Sequence, residues 1–321
     1  MTRRWNAYSQ YLQRRYGQRV YRVGVDAHLS CPNRDAQGHG GCSFCDGTGA
    51  VAVHLRTGER DTDSSSSILL HDRRTIEEQI EAGLRFIRYR YHSTLAMLYF
   101  QAWSNTNAPV EVLKDLYDRG LSCHDFVSLI VSTRPDLVAD DVVSLLSSYI
   151  TPQRDVWVEL GLQSASDETL KRIGRGHDVA CYVDAVSRLR DAGIRVCTHV
   201  MLVTAYEGRQ EALETIRLVN RVHSDAVKIH DLCLTRGTRL LDDYRDLGCL
   251  PCASLRRHVE DVSFLLAHLE GDVIVERLLT EMTNQRLVHP RHFPDKRDVL
   301  AMIDAHMEAR GWVQGCLAGS T

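Results

Sequence analysis

Apolar and polar positions along the chain follow a repeated rhythm, in which a short strand-like apolar run precedes a stretch with helical spacing. The first run, Val20 to Val25, leads into a loop rich in glycine and cysteine that lasts to about Gly49. A serine run at Ser64 to Ser67 reads as a surface connection. Ile76, Ile80, Leu84 and Ile87 then recur at the spacing of one helix face. Five further strands are predicted at Leu95–Phe100, Phe126–Val131, Val156–Leu160, Arg195–Leu202 and Ala226–Ile229. Between them helices are predicted from Pro109, over Pro135–Ser148, over Val179–Ala192 with Gly193 as its stop, and up to about Val222.

Strand-then-helix repetition predicts a parallel sheet with right-handed crossovers. A closed eight-unit barrel needs roughly 250 residues. Beyond Gly237 the pattern turns mostly helical, most clearly at Leu255–Leu269 and Lys296–Ala309. The expected fold is therefore α/β. A partial, TIM-like (β/α)6 barrel occupies residues 1–240 with a short amino-terminal segment, and a mostly helical extension, 241–321, packs on it.

Composition narrows the class. The 321 residues are 44% hydrophobic and 25% charged, the balance of a globular protein. A formal charge of −3 argues against a whole-chain grip on nucleic acid. Local basic pairs such as Arg14 with Arg15, or Arg172 with Arg175, leave nucleic acid open as a partner. The segment Met1–Tyr8 lacks the apolar core of a secretory signal, and no apolar run is long enough to span a bilayer, so a cytoplasmic location and no membrane partner are expected. Ten cysteines in such a chain do not read as a disulfide framework.

The strongest chemistry lies between Cys31 and Cys45, where Cys31, Cys42 and Cys45 share one glycine-rich loop directly after the first strand. Parallel sheets place their sites at such strand ends. Gly38, Gly40 and Gly41 let the backbone turn tightly and offer N–H groups to an anionic centre. Thiolates suit zinc or an iron–sulfur cluster. Structural zinc closes with four protein ligands, so a zinc reading needs His39 as the fourth. A cubane cluster held by three thiolates keeps one iron open to substrate.

In those residues the chain resembles the radical S-adenosylmethionine (SAM) superfamily, and within it the YhcC-like family, whose cysteines are more widely spaced than usual. Further segments carry the likeness: Trp5–Ser9, Gly24–Cys45, Tyr99–Thr106, Ser132–Asp136, Trp157–Ser164, Leu170–His177, Lys228–His230 and Arg236–Thr238. The resemblance implies a [4Fe-4S] cluster on Cys31, Cys42 and Cys45, with SAM as second cofactor. It also implies reductive SAM cleavage, a transferase-like radical chemistry on a substrate not identified, and an electron donor of the reductase, flavodoxin or ferredoxin type.

The same resemblance assigns polar groups at the strand ends. Gln101, Ser104 and Asn105 would meet the methionine end of SAM, and Arg175 its carboxylate. Glu159, which alternation puts on one strand face with Trp157 and Gly161, would meet the ribose or amino group, with an internal ion pair as its other reading. Gln163 and Ser164 would reach the ribose or substrate. A Gly-Leu-Pro-Gly-Glu-like segment of the family is replaced here by Leu202–Gly208, where Tyr206 offers a ring for adenine. Thr133, Arg134, His199, Lys228 and His230 lie at strand ends and are candidates for the substrate side. Cys249 and Cys252, with Cys233, form a second thiol group that reads as packing or as an auxiliary metal site. Two alternatives stand beside this reading: 3-amino-3-carboxypropyl transfer in the same fold, and a zinc-binding module for RNA or protein.

Overall fold

A computed structural model describes residues 3–35, 40–45, 74–203, 206–247, 253–280, 287–290 and 294–319. Cys249, Cys252, Gly38, His39 and the serine run therefore lie outside the described residues.

Helix α1 (Tyr8–Tyr16) precedes strand β1 (Tyr21–Val25). Helix α2 (Ile76–Tyr91) starts where Thr75 and Glu78 cap each other, Thr75 Oγ1 accepting from Glu78 N at 3.3 Å and Thr75 N donating to Glu78 Oε2 at 2.8 Å. Its buried stripe is Ile76, Gln79, Ile80, Gly83 and Ile87. Strand β2 (Ala96–Phe100), helix α3 (Val110–Ser122) and strand β3 (Ser128–Thr133) follow. The helix predicted over Pro135–Ser148 divides. Pro135–Leu137 forms one 3₁₀ turn, Ala139 is extended, and α4 (Asp140–Ser147) begins with two acids that suit a helix amino terminus.

Strand β4 (Asp155–Gln163) runs three residues past the prediction. Helices α5 (Asp167–Arg172) and α6 (Val179–Asp191) lead to β5 (Arg195–Leu202), α7 (Arg209–Arg221) and β6 (Ala226–Asp231). The remainder holds β7 (Leu234–Thr235), α8 (Arg239–Leu247), α9 (Leu255–His268), β8 (Ile274–Arg277), β9 (Leu287–His289) and α10 (Lys296–Ala309).

Among the described residues the main sheet has seven parallel strands in the order β1-β2-β3-β4-β5-β6-β8, while β7 and β9 pair separately and antiparallel. The seventh strand is the departure from the six-stranded expectation. It comes from the carboxy-terminal part, where four residues bounded by turns were too short to stand out against the helices.

The sheet curls into a half-barrel, and its two edge strands meet through side chains: Arg22 of β1 donates to Glu276 of β8 at 2.6 Å. Outward residues such as Val23, Leu98, Leu129, Val158 and Val196 pack under α2, α3, α4 and α6. At the amino-terminal end the inner face is apolar, with Met97, Ile130, Trp157, Ala226 and Ile274 gathered around Leu12 of α1. Above that layer the interior turns polar, which is where chemistry has room.

Candidate active site

The cysteine loop sits at the carboxyl end of β1 and is tied to itself. Arg34 N donates to Cys31 O at 3.0 Å, Gly41 N to Asn33 O at 2.6 Å and Cys45 N to Cys42 O at 2.9 Å. Gly40 and Gly41 have φ of +85° and +87°, a region that favours glycine. The loop is also tied to the segment after α5, through Ser43 N to Ile173 O at 2.8 Å and Asn33 Nδ2 to Gly174 O at 2.7 Å.

That segment brings Arg175 to the thiols. Its guanidinium donates to Cys42 Sγ at 3.3 Å and to Gly161 O at 2.6 Å. Arg134 Nη1 stands 3.9 Å from Cys31 Sγ while its other nitrogens hold Asp136 at 2.9 and 2.7 Å. Asn33 Nδ2 lies 3.6 Å from Cys42 Sγ. Two cations and an amide thus face sulfur, as an anionic cluster requires.

A lone tetrahedral zinc, with bonds near 2.3 Å, holds its sulfurs roughly 3.8 Å apart. Among the described residues, the group of three potential ligands that all lie within 4.8 Å is Glu159, Cys197 and His199, not the loop thiols. The three loop thiols do not form so tight a set, and their fit to a cluster rests on the cations and amide that face them. The residues fit a cluster.

The other group is no metal site. Glu159 is fully buried and accepts from Arg22 at 2.9 Å, Tyr99 Oη at 2.6 Å and His199 Nε2 at 2.9 Å, and pairs closely with Lys228. Glu276 adds a second anion, 3.4 Å from Lys228. Burial works against the Glu159 charge, but Lys228 and Arg22 hold its carboxyl well below the usual range. Burial, followed by Lys228, pushes the His199 pKa down, and burial, followed by His199 and Arg277, pushes that of His230 well down. Both imidazoles are neutral. Burial also raises the Cys197 thiol far above its ordinary value, so it stays protonated.

This network bears on two expectations. Three of the four donors, Tyr99, His199 and Lys228, meet Oε2, and Arg22 alone meets Oε1, so the ion-pair reading of Glu159 is what these contacts describe. Lys228 pairs with Glu159 and Glu276, so its charge is balanced within the interior, and His199 and His230 are the hydrogen-bonding groups of this wall. His230 Nε2 is buried without a hydrogen-bond partner, and its ring centroid lies 5.3 Å from that of His199.

The remaining candidates divide. Gln163 has φ +77° beside an irregularity in the β4–β5 register. A Cβ on Gly161 would come within 2.8 Å of Gln163 Nε2 and 3.0 Å of Arg175 Nη2, so glycine there lets both side chains cross the strand end. Asn105 Nδ2 donates to Phe100 O and Ser132 O, both at 3.1 Å, joining two strand ends, while its Oδ1 is buried and unpartnered. Ser104 is buried next to it, and Gln101 N donates to Val25 O at 3.3 Å. Ser164 donates to Glu207, which keeps Oε2 buried and unpartnered. Thr133 is buried and shares one hydrogen bond with Thr106 at 2.5 Å. Tyr206 is half-buried with the Arg172 guanidinium over its ring at 5.6 Å.

Sequence reasoning missed several participants. Arg22 and Glu276 complete the ion network, although each is only one charge in an ordinary strand. Trp103, with φ +63°, is faced by the Arg34 guanidinium at 5.6 Å, and Arg34 donates to Cys45 O at 2.9 Å. His177 accepts from Arg175 at 3.0–3.1 Å. Burial and then Arg175 lower its pKa to about 4, so it is the neutral acceptor that orients the guanidinium.

A half-barrel with three thiols at its mouth, cations against the sulfurs and a polar interior defines a radical SAM enzyme. Sequence comparison agrees: the radical SAM superfamily matches residues 36–219, and the Radical_SAM C-terminal domain matches residues 224–309. The chain belongs to that superfamily, and within it to the YhcC-like family. It is 34% identical to YtqA of Bacillus subtilis (strain 168) over 314 residues, 98% of this chain and 92% of that protein. Identity to YhcC of Escherichia coli (strain K12) is 33% over 311 residues, covering 96% and 93%. Among solved structures, the archaeal Elp3 of Methanocaldococcus infernus with an amino-terminal deletion superposes with TM-score 0.65 at 20% identity, covering 75% of this chain and 61% of that one. At that identity the likeness concerns the fold.

Proposed function

We propose that Cys31, Cys42 and Cys45 hold a [4Fe-4S] cluster, and that SAM binds beside it and is cleaved reductively to start radical chemistry on a substrate in the half-barrel. When bound, the cluster supplies the electron that breaks a carbon–sulfur bond of SAM, so that the released deoxyadenosyl group takes a hydrogen atom from substrate. That electron comes from a reductase, flavodoxin or ferredoxin. The observation that carries this reading is the set of three thiols on one tied loop, with Arg175 and Arg134 against two of the sulfurs.

This chain's residues then have distinct tasks. Arg175, turned by His177, is the cation for the SAM carboxylate, and a planar guanidinium suits a planar anion. Gln101, Ser104 and Asn105 ring the methionine end. Gln163, Ser164 and Tyr206 line the nucleoside side, where Glu207 adds an acceptor. His199 and His230, both neutral, present hydrogen-bonding groups to substrate from the interior wall. Trp103 and the loop itself keep water from the sulfurs.

Anaerobic reconstitution with iron and sulfide tests this. The expected result is a brown protein that, once reduced, releases 5′-deoxyadenosine and methionine from SAM. Cys42→Ala loses both colour and cleavage. Release of methylthioadenosine instead would move the reading to aminocarboxypropyl transfer. Stoichiometric zinc without iron in anaerobically purified protein would overturn it.

A further inference from the structure

We infer that the amino-terminal end of the half-barrel, opposite the cysteine loop, binds an unpaired polynucleotide strand. The inference needs none of the radical chemistry. It starts from where acids are missing. From Met1 to Val25 the chain has no Asp or Glu but six arginines, and from Ala82 to Val110 it again has none, with Arg85, Arg88 and Arg90 present. In a chain of formal charge −3 these are two strongly positive stretches.

The fold joins them. β1 and β2 are paired in parallel, Ser93 Oγ donates to Arg19 O at 2.9 Å, and the rings of Tyr21 and Tyr91 stack with centroids 4.2 Å apart and planes 5° off parallel. Arg90 lies over Tyr91 at 5.8 Å, and Phe86 meets the same ring edge-on at 5.9 Å. Arg14, Arg15 and Arg19 are exposed at the end of α1 and in the turn after it, while Arg88, Tyr89 and Arg90 are exposed at the end of α2. Arg15 also pairs with Asp155 at 2.9 Å, leaving Arg14, Arg19, Arg88 and Arg90 as the cations considered for a ligand.

The aromatic side chains point to bases. Among the described residues, the exposed large aromatics are Phe86 (38%), Tyr89 (85%) and Tyr91 (41%), all on the closing turns of α2. The helix does not need Tyr89 for packing, because its buried stripe ends at Ile87. Tyr91 already carries Tyr21 on one face, so Tyr89 is the ring that offers an open face to a base; such a ring among arginines is the chemistry of single-strand binding, phosphates meeting the guanidiniums and a base stacking on the ring. A duplex hides its base faces and would use only the charge. An anionic lipid surface is the competing occupant, and the test includes it.

The reconstituted full-length protein is titrated into a labelled oligouridine of about 20 nucleotides and a thymidine strand of equal length. Parallel titrations use a duplex and phosphatidylserine-containing vesicles. Single strands are expected to bind at least about tenfold tighter than the duplex, and about 20-fold more weakly at ~200 mM than at ~50 mM salt if three arginines meet phosphates. Preference between the two strands separates RNA from DNA, and binding of either supports the site. Tyr89→Ala and the neutral pair R88Q/R90Q should each weaken binding about tenfold. Arg256→Gln, at an exposed position of α9, should leave it unchanged. The inference is overturned if single strands do not bind, if the α2 variants bind as wild type, if the duplex binds equally well, or if vesicles bind and strands do not. These exposed substitutions should leave melting temperature and SAM cleavage unaltered, which separates lost binding from misfolding.

Discussion

At the scale of single residues, the interior is governed by charge balance. Arg22 and Lys228 face Glu159 and Glu276, two cations against two anions in a water-poor space. Removing one member leaves its partners charged and buried, which is worse than removing the whole set. Glu159→Gln should therefore destabilise the fold by about 3 kcal/mol, read as a lower denaturant midpoint at unchanged slope. Lys228→Met with Glu159→Leu should do less harm than either change alone. Glu159 was legible in the sequence as a carboxylate in an apolar strand. Its pairing was not, because the partners lie on β1, β2, β5 and β6, and which side chains meet across a curled sheet is not written in local pattern.

At the scale of elements, the end of β4 is where fold and site meet. Gly161, Gln163 and the arriving Arg175 crowd one strand end. Gly161→Ala should shift the guanidinium off Cys42 and lower SAM cleavage by about 100-fold, the scale expected for a displacement near 1 Å, with stability changed little. His177→Gln should keep the fold and raise the KM for SAM more than it lowers kcat, since His177 orients Arg175 without touching the ligand. Strand positions were legible to within a few residues because buried strands are bounded by turns and helix caps. The extension of β4 to Gln163 was not, because a positive φ at glutamine leaves no compositional sign. The helix after β3 was read as one because Pro135 and the acids at Asp140 and Asp141 each suit a helix start, and the sequence does not say that both are used.

For the whole molecule, acid is the sensitive direction. His177, His199, His230 and His258 are held neutral, each with its pKa depressed mainly by burial. A histidine depressed in the fold binds fewer protons than in the unfolded chain between its two pKa values, so stability rises with pH across that window. For His177 the window runs from about 4 to its ordinary value of 6.5. Unfolding free energy should thus fall steadily as pH drops from about 6.5 to 4, by on the order of 2 kcal/mol for this group alone. His177→Gln should flatten the corresponding part of a pH–stability curve. The barrel class was readable because strand-then-helix repetition admits few topologies. The closing strand was hidden in a stretch whose helices dominate the pattern.

That closing strand has a consequence for how the protein comes into being. Synthesis runs from the amino terminus, so Arg22 and Lys228 are both made before Glu276 emerges. Until then the nascent interior carries two cations against one carboxylate, and the β6 edge is open to any strand that will pair with it. β8 also receives the segment before α1, for Val275 N donates to Asn6 O at 2.8 Å and Asn6 Nδ2 to Asp272 O at 2.9 Å. Two segments translated far apart thus complete each other. A ribosome that stalls near residue 240 would release a chain with an unsatisfied edge and an unmatched charge, a substrate for chaperones rather than a smaller enzyme.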